Sequence, residues 1–315
     1  MDDRIISNEA LELLLSSDPS IVYQTRKYLL EEDEDTLRDL QKQTLIDGFG
    51  RRFLSHQNDD YTFGKSDYVG KWTSTHYTLL DLRYLEIPRD TTEAMIPARN
   101  ISLMHRAVDG GIAISSDRKS DVCVNGMTLN FSSYFMVEED LLKPLVDNLL
   151  EVILSDGGYN CRYNRNKVRH SSMHSTMSVL EGFLEYERNG YTYRLEEIKE
   201  AAECASQFIL QHNLFRSDHT GEIIDKKFLA LAFPTRWKYD IHRALYYYMD
   251  AGIPFDPRME EALRMLKDKQ HPDGTFLKGT TYSGELHFPL EEGRKGRFNT
   301  LRCLRILKAY EEFLK

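Results

Sequence analysis

The 315-residue chain has no apolar run long enough to cross a bilayer. Its first residues, MDDRIISNEALELLL, are acidic where an export signal would carry positive charge. Neither a membrane span nor a secretory leader is expected, and a cytoplasmic location is. Basic charge is also short, with 41 Lys and Arg against 50 Asp and Glu. The resulting net charge of −9 excludes a general nucleic-acid binder, because phosphate neutralisation needs a basic face. Only four cysteines occur, Cys123, Cys161, Cys204 and Cys303, widely spaced in a chain without an export signal, so reduced thiols are expected. Strand-like alternation is scarce, which disfavours an α/β barrel. Tryptophan appears twice, whereas there are 18 tyrosines and 15 phenylalanines, an excess that suits helix packing and, in part, an aromatic cavity.

What is present is a repeat of about fifty residues. The segments Trp72 to Leu80, Asp121 to Leu129, Ser172 to Leu180 and Trp237 to Leu245 share a frame, and a looser copy runs from Gly296 to Leu304. Each starts polar and continues into an apolar stretch such as LLDLRYL, VLEGFLEY or ALYYYM, as a helix entering a core does. Second helical patterns lie between them at Glu138 to Ile153, Leu195 to Gln211 and Pro257 to Lys269. Asn8 to Leu15, Pro19 to Leu30 and Asp35 to Leu54 read as helices upstream. The unit is therefore a helical hairpin. About six of them make one all-α domain spanning 1–315, with 1–54 completing the ring.

Turns repeat as well. QNDDYTF (57–63) and QHPDGTF (270–276) carry Gln, Asp, Thr and Phe at the same offsets, and DGGY (156–159) is a shorter relative. A glutamine holding one helix end and an aromatic wedged beneath it would pin neighbouring hairpins together, a structural role.

These turns resemble the glutamine and aromatic repeats of squalene and hopene cyclases. The hairpin period resembles the α/α toroid that those enzymes share with protein prenyltransferase β-subunits, over Leu54 to the C-terminus. The resemblance extends to bacterial prenyltransferase-like proteins of unassigned activity. It implies a toroid with a central cavity for an apolar or isoprenoid diphosphate substrate. Neither the Asp-x-Asp-Asp acid of proton-initiated cyclases nor the Asp-Asp-x-x-Asp magnesium cluster is present; Glu32 to Asp35 reads as a solvated acidic turn and Asp59-Asp60 as part of a structural one. The prenyltransferase pattern is closer. Asp121-Val122-Cys123 resembles that family's zinc-binding Asp-x-Cys step, and His174 in MHSTMSVLEGF its histidine, which implies zinc on Asp121, Cys123 and His174 with one position open. Cys123 and His174 occupy the same position of their repeats; Cys161 and His170 are substitutes. Val124 stands where the family has a diphosphate-contacting tyrosine.

Arg118 and Lys119 precede the Asp-x-Cys step, and Arg162, Arg165, Lys167 and Arg169 cluster in CRYNRNKVRH, a local basic loop able to receive a diphosphate or another anion. Trp72, Tyr77, Tyr239 and Tyr246 would shield an allylic cation. Protein prenyltransferases normally act with an α-subunit, so a protein partner is open. Two other readings stand beside this one. In a carbohydrate-active toroid, His76, Asp81, Asp240, His242 and tyrosines would line a sugar cleft. A non-catalytic module would use the cavity for binding alone. Across these readings the substrate-binding candidates are Trp72, His76, Arg118, Arg165, Tyr239, Asp240 and His242.

Overall fold

A computed structural model describes residues 5–114, 119–163 and 168–314. Thirteen α-helices occur among them: α1 (Asn8–Leu15), α2 (Pro19–Tyr28), α3 (Glu34–Ile46), α4 (Gly48–Leu54), α5 (Thr75–Tyr84), α6 (Thr92–Met104), α7 (Val122–Tyr134), α8 (Glu139–Glu151), α9 (Met173–Arg188), α10 (Leu195–Gln211), α11 (Ile241–Asp250), α12 (Glu260–Lys267) and α13 (Arg297–Ala309). The first two start where their caps dictate. The Ser7 hydroxyl accepts from the Ala10 N–H, and Asp18 accepts from the Ser20 N–H ahead of Pro19, whose fixed φ suits the first turn. The stretch expected as one helix from Asp35 to Leu54 is two. Gly48 breaks it by adopting φ +75°, with its Cα set so close to Asp18 and Pro19 that no side chain fits there.

The helices form an α/α toroid. Helices α2, α5, α7, α9, α11 and α13 are the inner ring and the others lie outside them; α5 to α13 pack each on the next and α13 on α2, and Gln24 of α2 donates to the Tyr84 carbonyl of α5. Burial confirms the assignment, since every residue of α7 but Tyr134 is buried, whereas α8 and α10 bury one face. The ring closes where α13 meets α1 and α2: the Lys308 ammonium donates to the Leu29 carbonyl and pairs with Glu31 at 2.6 Å. Helices α7 and α9 cross with their backbones in contact at Gly126 and Gly182.

The repeated turns are the mortar. Gln57 Nε2 donates to the Tyr61 carbonyl of its own turn and to the Glu93 carbonyl at the start of the next outer helix. Gln270 does the same to Gly274 and to Ile5, which joins the last repeat to the first. The N–H groups of Phe63, Tyr159 and Phe276 each donate, at 3.0 Å, to the hydroxyl of Thr75, Thr176 and Thr300 in the first turns of the following inner helices. At Ile112 the longer Asn125 side chain serves instead. One antiparallel pair, β1 (Phe276–Leu277) with β2 (Lys295–Gly296), is the only strand pairing among the described residues beyond isolated bridges.

Candidate functional site

The bore of the ring is not an open apolar hollow. The buried segment 231–236, between α10 and α11, runs into it. Asn299 Nδ2 donates to the Leu231 carbonyl, Phe233 stacks on Phe298 at 4.4 Å, and Arg236 pairs with Asp81 at 2.8 Å while lying 4.6 Å over Trp72. Burial pushes the Asp81 carboxyl up despite this partner. Beside the segment lies an axial cavity bounded by Gln24, the C-terminal halves of α5, α7, α9 and α11, and the start of α13. It encloses about 30 Å³, a few water-sized groups.

Charge fills its walls. Glu185 is held by Arg83, Glu181 by Arg243 at 2.6 Å, Asp250 by Arg188 at 2.9 Å and Arg305 at 3.1 Å, and Glu86 by Lys27 at 2.8 Å. Burial alone would raise Asp250 and Glu86, yet the adjoining cations outweigh it and hold both below their ordinary values, so both remain carboxylates. Each of the four acids has its cation. Arg302 is the one left over. Its side chain lines the cavity, the residue is 6% exposed, and its guanidinium stacks 3.9 Å over Tyr246. Its Nε has no hydrogen-bond partner, and no carboxylate pairs with it among the described residues. Tyr84 OH and Asn130 Oδ1, on the same walls, are buried without partners too. Six cations (Lys27, Arg83, Arg188, Arg243, Arg302, Arg305) thus face four carboxylates, an arrangement suited to receiving an anion.

The residues singled out from sequence are distributed differently. Arg118, Arg165 and Lys167 lie outside the described residues, and Arg162 and Arg169 are exposed. Trp72 is pinned by its indole N–H to the Ser283 carbonyl. Tyr239 donates its hydroxyl to the Leu214 carbonyl, and Asp240 caps α11 by accepting from the Arg243 N–H at 2.8 Å and from the Ala232 N–H at 3.0 Å. Burial raises Asp240 to about 6 in that role, and Glu291, which receives the Arg297 and Asn299 amides ahead of α13, to about 7. Trp72, Tyr239, Asp240 and Glu291 do not line the axial cavity, whereas Tyr246, expected as a cavity aromatic, does.

Asp121, Cys123 and His174 do not gather. Cys123 and His174 are each the second residue of an inner helix, as their matching register implied, but each side chain is directed into the loop ahead of the next inner helix. Cys123 is joined to Cys161, and so is not the reduced thiol expected. His174 Nδ1 accepts the Tyr239 N–H at 2.8 Å and its ring lies edge-on to Trp237. Equivalent positions in a six-unit ring point to equivalent neighbours, and equal height along the axis does not bring them together. Among the described residues no group of three His, Cys, Asp or Glu is placed to hold a metal. The three side chains do not converge on one point, since His174 is turned to the Tyr239 N–H and Cys123 to Cys161.

His76 and His242 are wholly buried, with both ring nitrogens unpartnered. His76 sits edge-on to Tyr68, Tyr77 and Phe131, and burial, aided by Lys71, pushes it down to about 3. Between pH 6.5 and about 3 the unfolded chain takes up a proton there that the folded one does not. Stability therefore falls with pH across that window by up to about 1.4 kcal/mol per unit. His76→Phe, similar in shape and without a nitrogen to desolvate, should flatten this limb. As pH falls from neutrality the melting temperature of the variant should gain steadily on that of the wild type; a difference that stays constant from pH 7 to 4 would refute the assignment.

No family model matches the sequence, and no curated protein matches it. Solved structures do. A glycosyl hydrolase of family 88 from Bacteroides vulgatus shares 14% identity with a TM-score of 0.53, covering 97% of this chain and 99% of that one. The chain is an α/α toroid. A polysaccharide lyase shares 13% at TM-score 0.51, over 99% of this chain and 91% of that one. The type II terpene cyclase MstE from Scytonema shares 13% at 0.48, with 97% of both chains covered. At these identities the likeness concerns the fold alone. No helix of the toroid, among the described residues, is long and apolar enough to cross a membrane.

Proposed function

We propose that this toroid binds a small hydrophilic ligand carrying a carboxylate, a sugar acid being the class, with the acid group seated on Arg302 in the axial cavity. The observation that carries the reading is the unpaired, buried Arg302 guanidinium among walls whose other charges are all matched. A carboxylate there would satisfy the guanidinium, while Tyr84 OH and Asn130 Oδ1 would receive hydroxyl or amide groups of the ligand. An isoprenoid chain suits this wall poorly. It would desolvate four carboxylates and offer them no partner in return. The glycosyl hydrolase and polysaccharide lyase among the structural neighbours set which ligands to try first. Because the four wall carboxylates are tied to cations, the reading is one of binding, with no proton donor assigned.

Titration calorimetry tests it with galacturonate and glucuronate, with galactose as the uncharged control, and with farnesyl diphosphate. The sugar acids should bind the wild-type protein and lose at least tenfold in affinity in Arg302→Met. Equal binding of galactose, or sugar-acid binding that survives Arg302→Met, would refute the seat. Binding of farnesyl diphosphate alone would return the toroid to the isoprenoid reading.

A further inference from the structure

A second site lies at the head of α7, and it depends on sulfur. Cys123, the second residue of α7, and Cys161, in the turn ahead of α9, are bonded to each other with Cα atoms 5.5 Å apart, an ordinary span for a disulfide. The other two cysteines are elsewhere, Cys204 exposed and Cys303 buried, and neither is bonded. The two sulfurs are not equivalent. Cys123 is 9% exposed, whereas Cys161 is half-buried and presents its Sγ to the Cys123 N–H at 3.2 Å.

The turn around Cys161 is held without the sulfur bond. The Tyr159 N–H donates to Thr176 Oγ1, the Cys161 N–H to Ser175 Oγ at 2.9 Å, Asn160 Nδ2 to the His170 carbonyl at 2.8 Å, and the Ser171 N–H to Asp156. Opening the disulfide therefore leaves both sulfurs facing each other across the same gap. That is the geometry of a pair that can close again, since intramolecular attack needs the second sulfur already in place.

We propose that Cys123 and Cys161 form a reversible dithiol–disulfide site that exchanges with small-molecule thiols of the glutathione class. In the oxidising direction the Cys161 thiolate, the more exposed, attacks one sulfur of the small disulfide, forming a mixed disulfide and releasing one thiolate. The Cys123 thiolate then attacks Cys161 Sγ, forming the protein disulfide and expelling the second small thiolate. One small disulfide is reduced to two thiols as two protein thiols become one disulfide, and the two protein protons pass to the departing thiolates. The site is independent of the axial cavity, and its failure would leave the anion reading untouched.

The test uses the full chain equilibrated in glutathione buffers of graded oxidised-to-reduced ratio, quenched with acid, alkylated and mapped by peptide mass spectrometry. Cys123 and Cys161 should convert together, with one midpoint and as a linked peptide, while Cys303 stays a thiol throughout. Cys123→Ser should trap the mixed disulfide on Cys161, and circular dichroism of the wild-type protein should be the same at both extremes. A pair that stays alkylatable at every ratio would overturn the site. So would separate midpoints, or stoichiometric zinc bound by the reduced protein and blocking its oxidation. If Cys161→Ser forms a mixed disulfide on Cys123 as fast as Cys123→Ser does on Cys161, the order of attack is wrong and the proposal falls with it.

Discussion

Arg83→Met should destabilise the toroid by about 3–5 kcal/mol, while Arg302→Met, a chemically identical truncation in the same cavity, should be neutral or stabilising. The difference lies in what each guanidinium leaves behind. Arg83 faces Glu185, whose side chain is 2% exposed, so its loss strands a carboxylate in the core. Arg302 leaves no charge unpaired, and in the unliganded protein only stacking on Tyr246 offsets its desolvation, with Nε unpartnered. Urea titrations of both variants read the two values. Arg83→Met combined with Glu185→Leu should recover most of the loss, because an apolar pair of similar volume replaces both charges at once. An Arg302→Met variant that loses as much as Arg83→Met would show that Arg302 has a structural partner, and the reading of the cavity would fail with it.

The second large effect is expected at the crossing of α7 and α9. A Cβ on Gly126 would lie 2.5 Å from the Ser178 carbonyl oxygen, and one on Gly182 would lie 2.5 Å from the carbonyl oxygen of Gly126 itself. Backbone atoms cannot swing aside as a side chain can, so the helices must separate and the buried layer around Met127, Val179 and Phe183 loosens with them. Alanine raises helix propensity by about 1 kcal/mol over glycine at an unconstrained site, but overpacking here should win, for a net loss of about 1–3 kcal/mol in either single variant. The double variant should lose clearly less than the sum, because one separation of the helices admits both methyl groups. Thermal unfolding of the three variants measures this; additive losses would mean that the two glycines sit at independent contacts.

The toroid was legible in the sequence because its signals are local and repeated. The fifty-residue spacing, the apolar inner-helix runs and the paired Gln-to-Phe turns each report a contact made within one hairpin or to the next. The turns do in the structure what their residues imply, with Gln270 fastening the last repeat to Ile5. Side-chain direction was not legible in the same way. Cys123 and His174 share a helical position, yet a side chain near a helix head can face the axis or the adjoining loop, and the loops ahead of α9 and α11 capture both.

The axial site was missed for a related reason. The helix heads carry Asp240 and His242, which cap or pack, while the charges that line the cavity lie deeper along the helices. A signal was available. Arg83 in LLDLRYL, Arg243 in IHRALYYY and Arg302 and Arg305 in LRCLRIL place arginine inside otherwise apolar runs, which on a helix buried all round must be a buried charge in need of a partner. What the sequence alone could not disclose is which arginine lacks one, since the pairing partners are 55 to 102 residues away.

The central claim, that the axis of this toroid holds an anion on Arg302, is tested most directly by anomalous diffraction from crystals soaked in selenate. One strong selenium peak is expected within hydrogen-bond distance of the Arg302 guanidinium in the wild-type protein, and none there in Arg302→Met crystals soaked alike. Selenate found only elsewhere, or found in the axial cavity of both proteins, would contradict it.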